Sequence, residues 1–129
     1  MRGKINHRER SRQINDFSNL QLSHNITPTD IDGLIEYRNE KYIFFEVKYQ
    51  DAPMPYGQKL ALERLVADTS MGRKKAIAIV CEHDVHDTAA DVDVSQTIVR
   101  EVYSYRTKEW RMPESAYTTK QLIEMFILT

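Results

Sequence analysis

Residues 42–49 read Tyr-Ile-Phe-Phe-Glu-Val-Lys-Tyr, and this stretch sets the architecture of the chain. It is aromatic and β-branched on both alternating faces, which is typical of a central β-strand that is covered on both sides. Glu46 and Lys48 interrupt the apolar pattern and, being two residues apart, point to the same face. Because buried charges are unfavourable without a partner, the stretch predicts a buried strand that also carries a functional site.

A second apolar run at residues 31–37 precedes this strand and predicts a β-hairpin with it. If residues 38–40 form a three-residue loop, Asp32 lies opposite Glu46, and directly opposed residues share a face. A two-residue loop would place Asp32 opposite Val47 and turn its side chain to the other face. We therefore expect an odd-numbered loop, or a bulge with the same effect.

The order of segments along the chain predicts α-β-β-α-β-β-α, an α/β fold with a mixed central sheet flanked by helices. Outside the hairpin, the predicted elements are a first helix over residues 7–19, a helix over 56–68 that ends before Gly72, a buried strand over 76–81, an acidic loop over 83–96, a strand over 97–106, a turn over 107–109 and a last helix capped by Thr118 or Thr119. The whole chain is expected to form one domain.

Apolar side chains at helical or alternating spacing predict which faces of these elements are buried. For the first helix they are Ile14, Phe17 and Leu20, and for the last helix Leu122, Ile123, Phe126 and Ile127. Along the strand over residues 97–106, strict alternation assigns Ile98, Val102 and Ser104 to one face and Val99, Glu101, Tyr103 and Tyr105 to the other.

The composition is that of an ordinary globular domain, with 129 residues, 41% hydrophobic residues and a net charge of −1. No apolar run reaches the roughly 20 residues of a membrane helix, and no signal stretch is visible. Cys81, the only cysteine, cannot form an internal disulfide, and we expect it to be a small buried side chain. These features favour a cytoplasmic protein.

Charge is distributed unevenly along the chain. The N-terminal basic segment, residues 2–12, holds Arg2, Lys4, Arg8, Arg10 and Arg12 against Glu9 alone. Residues 82–93, which cover most of the acidic loop and the residue before it, hold five carboxylates and no Lys or Arg. Such an asymmetry can attract an anionic partner to one side of the molecule, although two solvated surface segments would give the same pattern.

Two carboxylates that meet at one point repel each other and need a proton or a cation between them. Mg²⁺ meets that need, because it takes one or two carboxylates, keeps several waters and accepts phosphate oxygens. The third polar group of the hairpin, Lys48, lies in reach of a metal-bound water. Asp32, Glu46 and Lys48 therefore predict a magnesium site for phosphodiester hydrolysis.

The run Thr29-Asp30-Ile31-Asp32-Gly33, followed one hairpin later by Glu46-Val47-Lys48, resembles the PD-(D/E)XK nuclease superfamily of restriction-endonuclease-like fold. The resemblance implies cleavage of nucleic acid, with DNA the expected substrate, using Mg²⁺ or Mn²⁺. It implies that Asp32, Glu46 and the Val47 carbonyl bind the metal, and that Lys48 positions or activates the attacking water. Asp30 is the alternative to Asp32.

The same resemblance implies further residues around the site. Gln58, on the helix after the triplet, would join the catalytic group, and Glu9, Asn15 or Asp16 could contribute from the first helix. Lys59, Arg73, Lys74 and Lys75 are expected to contact nucleic acid, with Lys41, Arg64 and the N-terminal basic segment as further candidates. A short member of this kind is expected to act as a homodimer or on branched DNA, as junction-resolving members do, and to be encoded by a phage or mobile element.

Two other functions compete with this prediction. The first is a catalytically idle module of the same fold that binds nucleic acid or a protein partner. The second is a structural zinc protein using Cys81, His83, His86 and Asp87, although their spacing matches no four-ligand pattern. The sequence lacks a glycine-rich phosphate loop and a serine elbow, which argues against P-loop nucleotide hydrolysis and serine-hydrolase chemistry.

Overall fold

A five-stranded mixed sheet forms the centre of the computed structural model, which describes residues 4–129. Its strands are β1 (Gly33–Tyr37), β2 (Lys41–Tyr49), β3 (Lys75–His83), β4 (Ile98–Ser104) and β5 (Glu109–Arg111). They lie side by side in chain order. Strands β2 and β3 are parallel, and every other neighbouring pair is antiparallel. The predicted α/β class with a mixed sheet is confirmed.

Three helices accompany the sheet: α1 (Arg8–Ser11), α2 (Tyr56–Thr69) and α3 (Thr119–Ile127). The helix α2 forms the crossover between the two parallel strands, a connection that parallel strands require. Thr118 caps α3 through a capping box with Gln121, which confirms one of the two predicted caps. Short 3-10 turns occur at Ser18–Leu20, Ser23–Asn25 and Val94–Gln96.

The sheet is covered on both faces, and each face has its own apolar cluster. On the α2 face, the buried members are Phe44, Leu62, Val66, Ala76, Ala78 and Tyr103. On the α3 face, they are Ile43, Ile77, Ile79, Cys81 and Val99, with Leu122, Ile123, Phe126 and Ile127 of α3 packed against them. Because β2 contributes to both clusters, its prediction as a central strand covered on both sides is confirmed.

The turn between β1 and β2 has the three-residue length that the sequence predicts. Tyr37 pairs with Lys41, which leaves residues 38–40 as the turn. Arg38 and Asn39 adopt the left-handed conformation, with φ of 49° and 57°. Asparagine tolerates this region better than arginine does. The odd length preserves the face on which every β1 side chain lies.

The predicted first helix over residues 7–19 is wrong. Only Arg8–Ser11 is helical, and the expected core contacts Ile14, Phe17 and Leu20 are exposed. Asp16 instead accepts hydrogen bonds from the backbone and hydroxyl of Ser18 at 3.1 and 2.7 Å, which favours a turn at this point. A short amphipathic helix needs its apolar face to pack against the core, and the apolar side chains of this segment are exposed.

Strict alternation along β4 is also wrong, because the strand contains a β-bulge. Val80 pairs with Glu101 whereas Cys81 pairs with Val99, so Arg100 is an extra residue. The bulge puts Val99 in the cluster on the α3 face, opposite to Tyr103 on the α2 face. The prediction had placed both on one face.

The region around Trp110 forms a short strand that the sequence prediction missed. Trp110 pairs with Tyr103 and Glu109 pairs with Ser104. The turn that connects β4 to β5 ends at Lys108, with φ of 55°, one residue before the predicted end of the turn. An edge strand of three residues leaves too little alternation to be recognised in a sequence.

Candidate metal and catalytic site

The start of β1 and the middle of β2 bring two carboxylates together. Gly33 pairs with Phe45, so Asp32, one residue before the strand, lies beside Glu46. The Asp32 Oδ2 atom accepts a hydrogen bond of 2.7 Å from the Val47 amide, which ties this carboxylate to β2. The structure therefore places Asp32 next to Glu46, in the arrangement that the three-residue turn predicts.

Lys48 joins these carboxylates from the same face of β2. Its Nζ atom lies 3.3 Å from Glu46 Oε1 and donates a hydrogen bond of 3.2 Å to Gln58 Oε1. Gln58 belongs to the first turn of α2, so it reaches the site from the helix above the sheet. The structure thus brings together all four side chains that the sequence singled out as catalytic.

The two charges on β2 are held in a mostly buried setting. Only 7% of the Glu46 side chain and 17% of the Lys48 side chain are exposed. Burial raises the pKa of Glu46 above its ordinary value of 4.5, and the negative charge of Asp32 raises it further. The ammonium of Lys48 acts in the opposite direction without cancelling the rise. The free protein therefore holds a carboxylate whose charge is only partly compensated.

The incompletely neutralised charge of the Glu46 carboxylate is suited to binding a cation. Asp32 and Glu46 offer carboxylate oxygens, the ligands that Mg²⁺ and Mn²⁺ prefer. In a β-strand the amide and carbonyl of one residue point to the same side. Since the Val47 amide points to Asp32, the Val47 carbonyl also lies on the β1 side of β2, beyond Gly33. These three groups fit the metal ligands that the sequence resemblance implies.

The basic residues expected to contact nucleic acid are not gathered at this site. Lys75 pairs with Lys41 in the parallel register, five residues before Glu46 on β2, which is about 16 Å along the strand. Arg73, Lys74 and Lys75 therefore lie at the other end of β3 from the candidate site, and their contact with nucleic acid stays a prediction. The register of a parallel pair is not visible in the sequence.

Lys59 lies close to the site in the chain but is engaged elsewhere. Its Nζ atom lies 2.6 Å from Glu101 Oε1 and 5.1 Å from the centre of the Trp110 ring. Trp110 in turn donates a hydrogen bond of 3.0 Å to Glu63 of α2. Lys59 therefore links α2 to β4 and β5, and its ammonium is already paired with Glu101.

The described part of the N-terminal basic segment, residues 4–12, lies at the same end of the sheet as the candidate site. The acidic loop leaves β3 after His83 and returns to β4 at Ile98, both at the carboxyl end of β3. Arg8 pairs with Asp91 of this loop and donates to the Ala89 carbonyl. Arg2 falls outside the described residues. Contact of this segment with phosphates stays a prediction.

The alternative zinc site involves residues at and after the C-terminal end of β3. Cys81 is fully buried, as predicted, and burial raises the pKa of its thiol, which disfavours the thiolate that zinc requires. The rings of His83 and His86 instead contact the Tyr49 ring edge-on. Their centres lie 5.4 and 5.7 Å, respectively, from the centre of the Tyr49 ring. No group of three or more His, Cys, Asp or Glu side chains is arranged around a metal position within residues 4–129.

Sequence reasoning missed Arg100, which contacts the loop between β2 and α2. Its guanidinium donates hydrogen bonds of 2.7 Å to the carbonyls of Ala52 and Gln50. Arg100 is the extra residue of the bulge in β4, and a bulge leaves no reliable mark on the alternation pattern of a single sequence.

Comparisons of this chain with protein-family models, with curated proteins and with solved structures gave no match. None of the helices within residues 4–129 has the length and apolar character needed to cross a membrane.

Proposed function

We propose that the chain is a metal-dependent nuclease that hydrolyses phosphodiester bonds in DNA, using Mg²⁺ or Mn²⁺. The observation that carries the proposal is the convergence of Asp32, Glu46 and Lys48, with Glu46 buried, Lys48 half-buried and Asp32 exposed at the edge of the group. Lys48 Nζ lies 3.3 Å from Glu46 Oε1, and burial, followed by the Asp32 charge, raises the pKa of that glutamate. Buried charges of this kind are weak contributors to stability, which favours a functional role for them.

The four polar side chains divide the chemical work between them. The bound metal would supply a Lewis acid that lowers the pKa of water and neutralises phosphate charge. Asp32 and Glu46 would hold it, with the Val47 carbonyl as a third ligand. Lys48 places a positive charge beside the reacting phosphate, where negative charge develops. Gln58 Oε1 accepts a hydrogen bond from Lys48 and so orients that ammonium.

The reaction adds water to the phosphorus and breaks one bridging P–O bond. One water proton is removed at the site and the leaving oxygen gains a proton, so the products are a phosphate monoester and a hydroxyl. The proton released by the water passes to solvent and the leaving oxygen takes its proton from solvent, while the Lys48 ammonium keeps its charge. A chain with one such site cleaves both strands of a duplex most simply as a homodimer, and the proposal includes that assembly.

Cleavage assays on plasmid DNA and on a four-way DNA junction test the proposal. We expect wild type to cut at least one of them with Mg²⁺ or Mn²⁺ and to be inactive in EDTA. Lys48→Ala should lower the rate by about 100-fold or more, because it removes charge stabilisation at the reacting centre. Lys120→Ala is the control, since Lys120 is 65% exposed on α3.

The rival function is a catalytically idle module of this architecture. It predicts that wild type binds DNA without cutting it under any metal condition. It also predicts that Lys48→Ala binds as wild type does, because no chemistry depends on the ammonium. Retained binding with no metal-dependent cleavage by wild type would therefore replace the nuclease proposal with the module.

A further inference from the structure

Arg100 occupies the extra position of the bulge in β4. Val80 pairs with Glu101 and Cys81 with Val99, so nothing on β3 pairs with Arg100. A bulge lets one residue leave the alternation of the strand and aim its side chain differently. Here Glu101, the next residue, contacts Lys59 of α2, and Arg100 contacts the loop that leads into the same helix.

The guanidinium of Arg100 is committed to the protein itself. Nη1 donates to the Ala52 carbonyl and Nη2 to the Gln50 carbonyl, each at 2.7 Å. Nε lies 3.7 Å from Glu82 Oε1, and 22% of the Arg100 side chain is exposed. Two short hydrogen bonds from one rigid planar group to carbonyls two residues apart fix the position of a loop better than either would alone.

The loop that Arg100 holds connects two residues of the candidate site. Lys48 lies near the end of β2, residues 50–55 follow, and Gln58 lies in the first turn of α2. The loop turns sharply, with φ of 49° at Gln50 and an Ala52 amide that donates to the Tyr49 carbonyl at 3.1 Å. The position of Gln58 relative to Lys48 therefore depends on how this loop is held.

We propose that Arg100 is a positioning residue, which holds the Gln50–Ala52 turn from β4 and thereby keeps Gln58 against Lys48. The inference rests on the proposed nuclease function for its effect on rate, but its structural effect exists without catalysis. Arg100 does not touch the reacting phosphate in this scheme. It acts only through the loop and the first turn of α2.

A double-mutant cycle on the rate of DNA cleavage tests this role. Arg100→Ala and Gln58→Ala should each lower kcat by about tenfold, with KM changed less than twofold, because misplacement of a catalytic group acts on the chemical step. If Arg100 acts through Gln58, the double variant should be no slower than Gln58→Ala alone. Multiplied effects in the double variant, or full activity of Arg100→Ala, would overturn the inference.

A second measurement does not depend on activity. The side-chain amide of Gln58 can be followed by ¹⁵N NMR in the free protein. Arg100→Ala should shift and broaden this signal, Arg100→Lys should have a smaller effect, and Arg111→Ala should have none because Arg111 pairs with Glu109 on β5. An unchanged Gln58 signal in folded Arg100→Ala contradicts the inference, whereas absent cleavage by wild type contradicts only the nuclease proposal. If Arg100→Ala does not fold, the Gln58 signal of Arg100→Lys is measured instead, and an unchanged signal in that variant contradicts the inference.

Discussion

The amide of Val47 donates a 2.7 Å hydrogen bond to Asp32 Oδ2, so the strand that carries Glu46 also holds the second carboxylate in place. Asp32 lies just outside β1, where no strand pairing fixes the backbone. Its position therefore depends on its own side chain as well as on the hairpin. This contact separates two roles of Asp32, positioning and charge, that a substitution can test one at a time.

Asp32→Asn should keep the contact with Val47 and lose the charge. We expect the affinity for Mn²⁺, measured by isothermal titration calorimetry, to fall by about ten- to a hundredfold, since a lost charge-assisted contact is worth about 1.5–3 kcal/mol. The circular dichroism spectrum should not change. Asp30→Asn is the matched control and should bind Mn²⁺ as wild type does. The reverse result would identify Asp30 as the ligand.

Glu46→Gln should make the metal-free protein more stable at neutral pH. The pKa of Glu46 is raised in the folded state, so the folded protein binds this proton more tightly than the unfolded chain does. The free energy of unfolding of wild type therefore falls as pH rises above the ordinary value of 4.5 and through the raised folded pKa. The variant lacks this titration.

Urea denaturation in EDTA between pH 4 and pH 8 measures the difference between the two proteins. The stability advantage of Glu46→Gln should be largest at the alkaline end and should vanish at the acidic end. Added Mg²⁺ should stabilise wild type and leave the variant unchanged, because a ligand stabilises only the state that binds it. A variant less stable than wild type in EDTA at neutral pH would show that Glu46 is held by its ion pair alone.

Gly33 is required by the close approach of the Phe45 ring. A Cβ atom at position 33 would lie 2.0 Å from the nearest ring atom, so Gly33→Ala forces the ring or the strand to move. We expect a loss of about 1–3 kcal/mol in the free energy of unfolding, as for other overpacked sites. Because Asp32 is the preceding residue, Mn²⁺ affinity should fall as well.

Gly57 provides the control for that substitution. It lies in the first turn of α2 with open space where a Cβ would be. Gly57→Ala should stabilise the protein by about 0.5–1 kcal/mol, since alanine is the better helix former. Urea denaturation of both variants at one pH separates the local clash at position 33 from a general effect of adding a methyl group.

The N-terminal basic segment should contribute to DNA affinity through its phosphate contacts. Replacing Arg10 and Arg12 with alanine should weaken DNA binding and lower the slope of log K against log salt by about 2, because each phosphate contact contributes about 0.9. Arg73→Ala with Lys74→Ala is the matched pair, and it should change the slope little because those residues lie at the far end of β3. Fluorescence anisotropy titrations at about 50 to 200 mM salt measure the slope for both double variants. The opposite ranking would return DNA contact to residues 73–75.

The hairpin and its site could be predicted from the sequence because their information is local. Apolar alternation gives the strands, three turn residues give the register, and the register alone places Asp32 beside Glu46. The bulge at Arg100 and the pairing of Lys75 with Lys41 depend on strands that are distant in the chain. Their positions follow from packing across the sheet, which the order of residues does not reveal.

The N-terminal segment shows a different limit. Ile14 and Phe17 have helical spacing, but spacing shows only how a helix would present its side chains if one formed. Asp16 lies between them, and its bonds to Ser18 give the backbone an alternative to the helical ladder. The competition between a local turn and a helix is decided by small energy differences that the apolar pattern does not measure.

The length of the turn at residues 38–40 decides on which face of the sheet the β1 side chains lie. A graft that lengthens this turn by two residues leaves each β1 side chain on its original face, while a graft of one residue sends Asp32 to the wrong side unless a bulge compensates. Insertions at this tip should therefore be tolerated in even steps. A peptide tag or a fluorophore-binding loop of suitable length can thus be placed there without moving Asp32 to the other face, which makes the tip a practical reporter position.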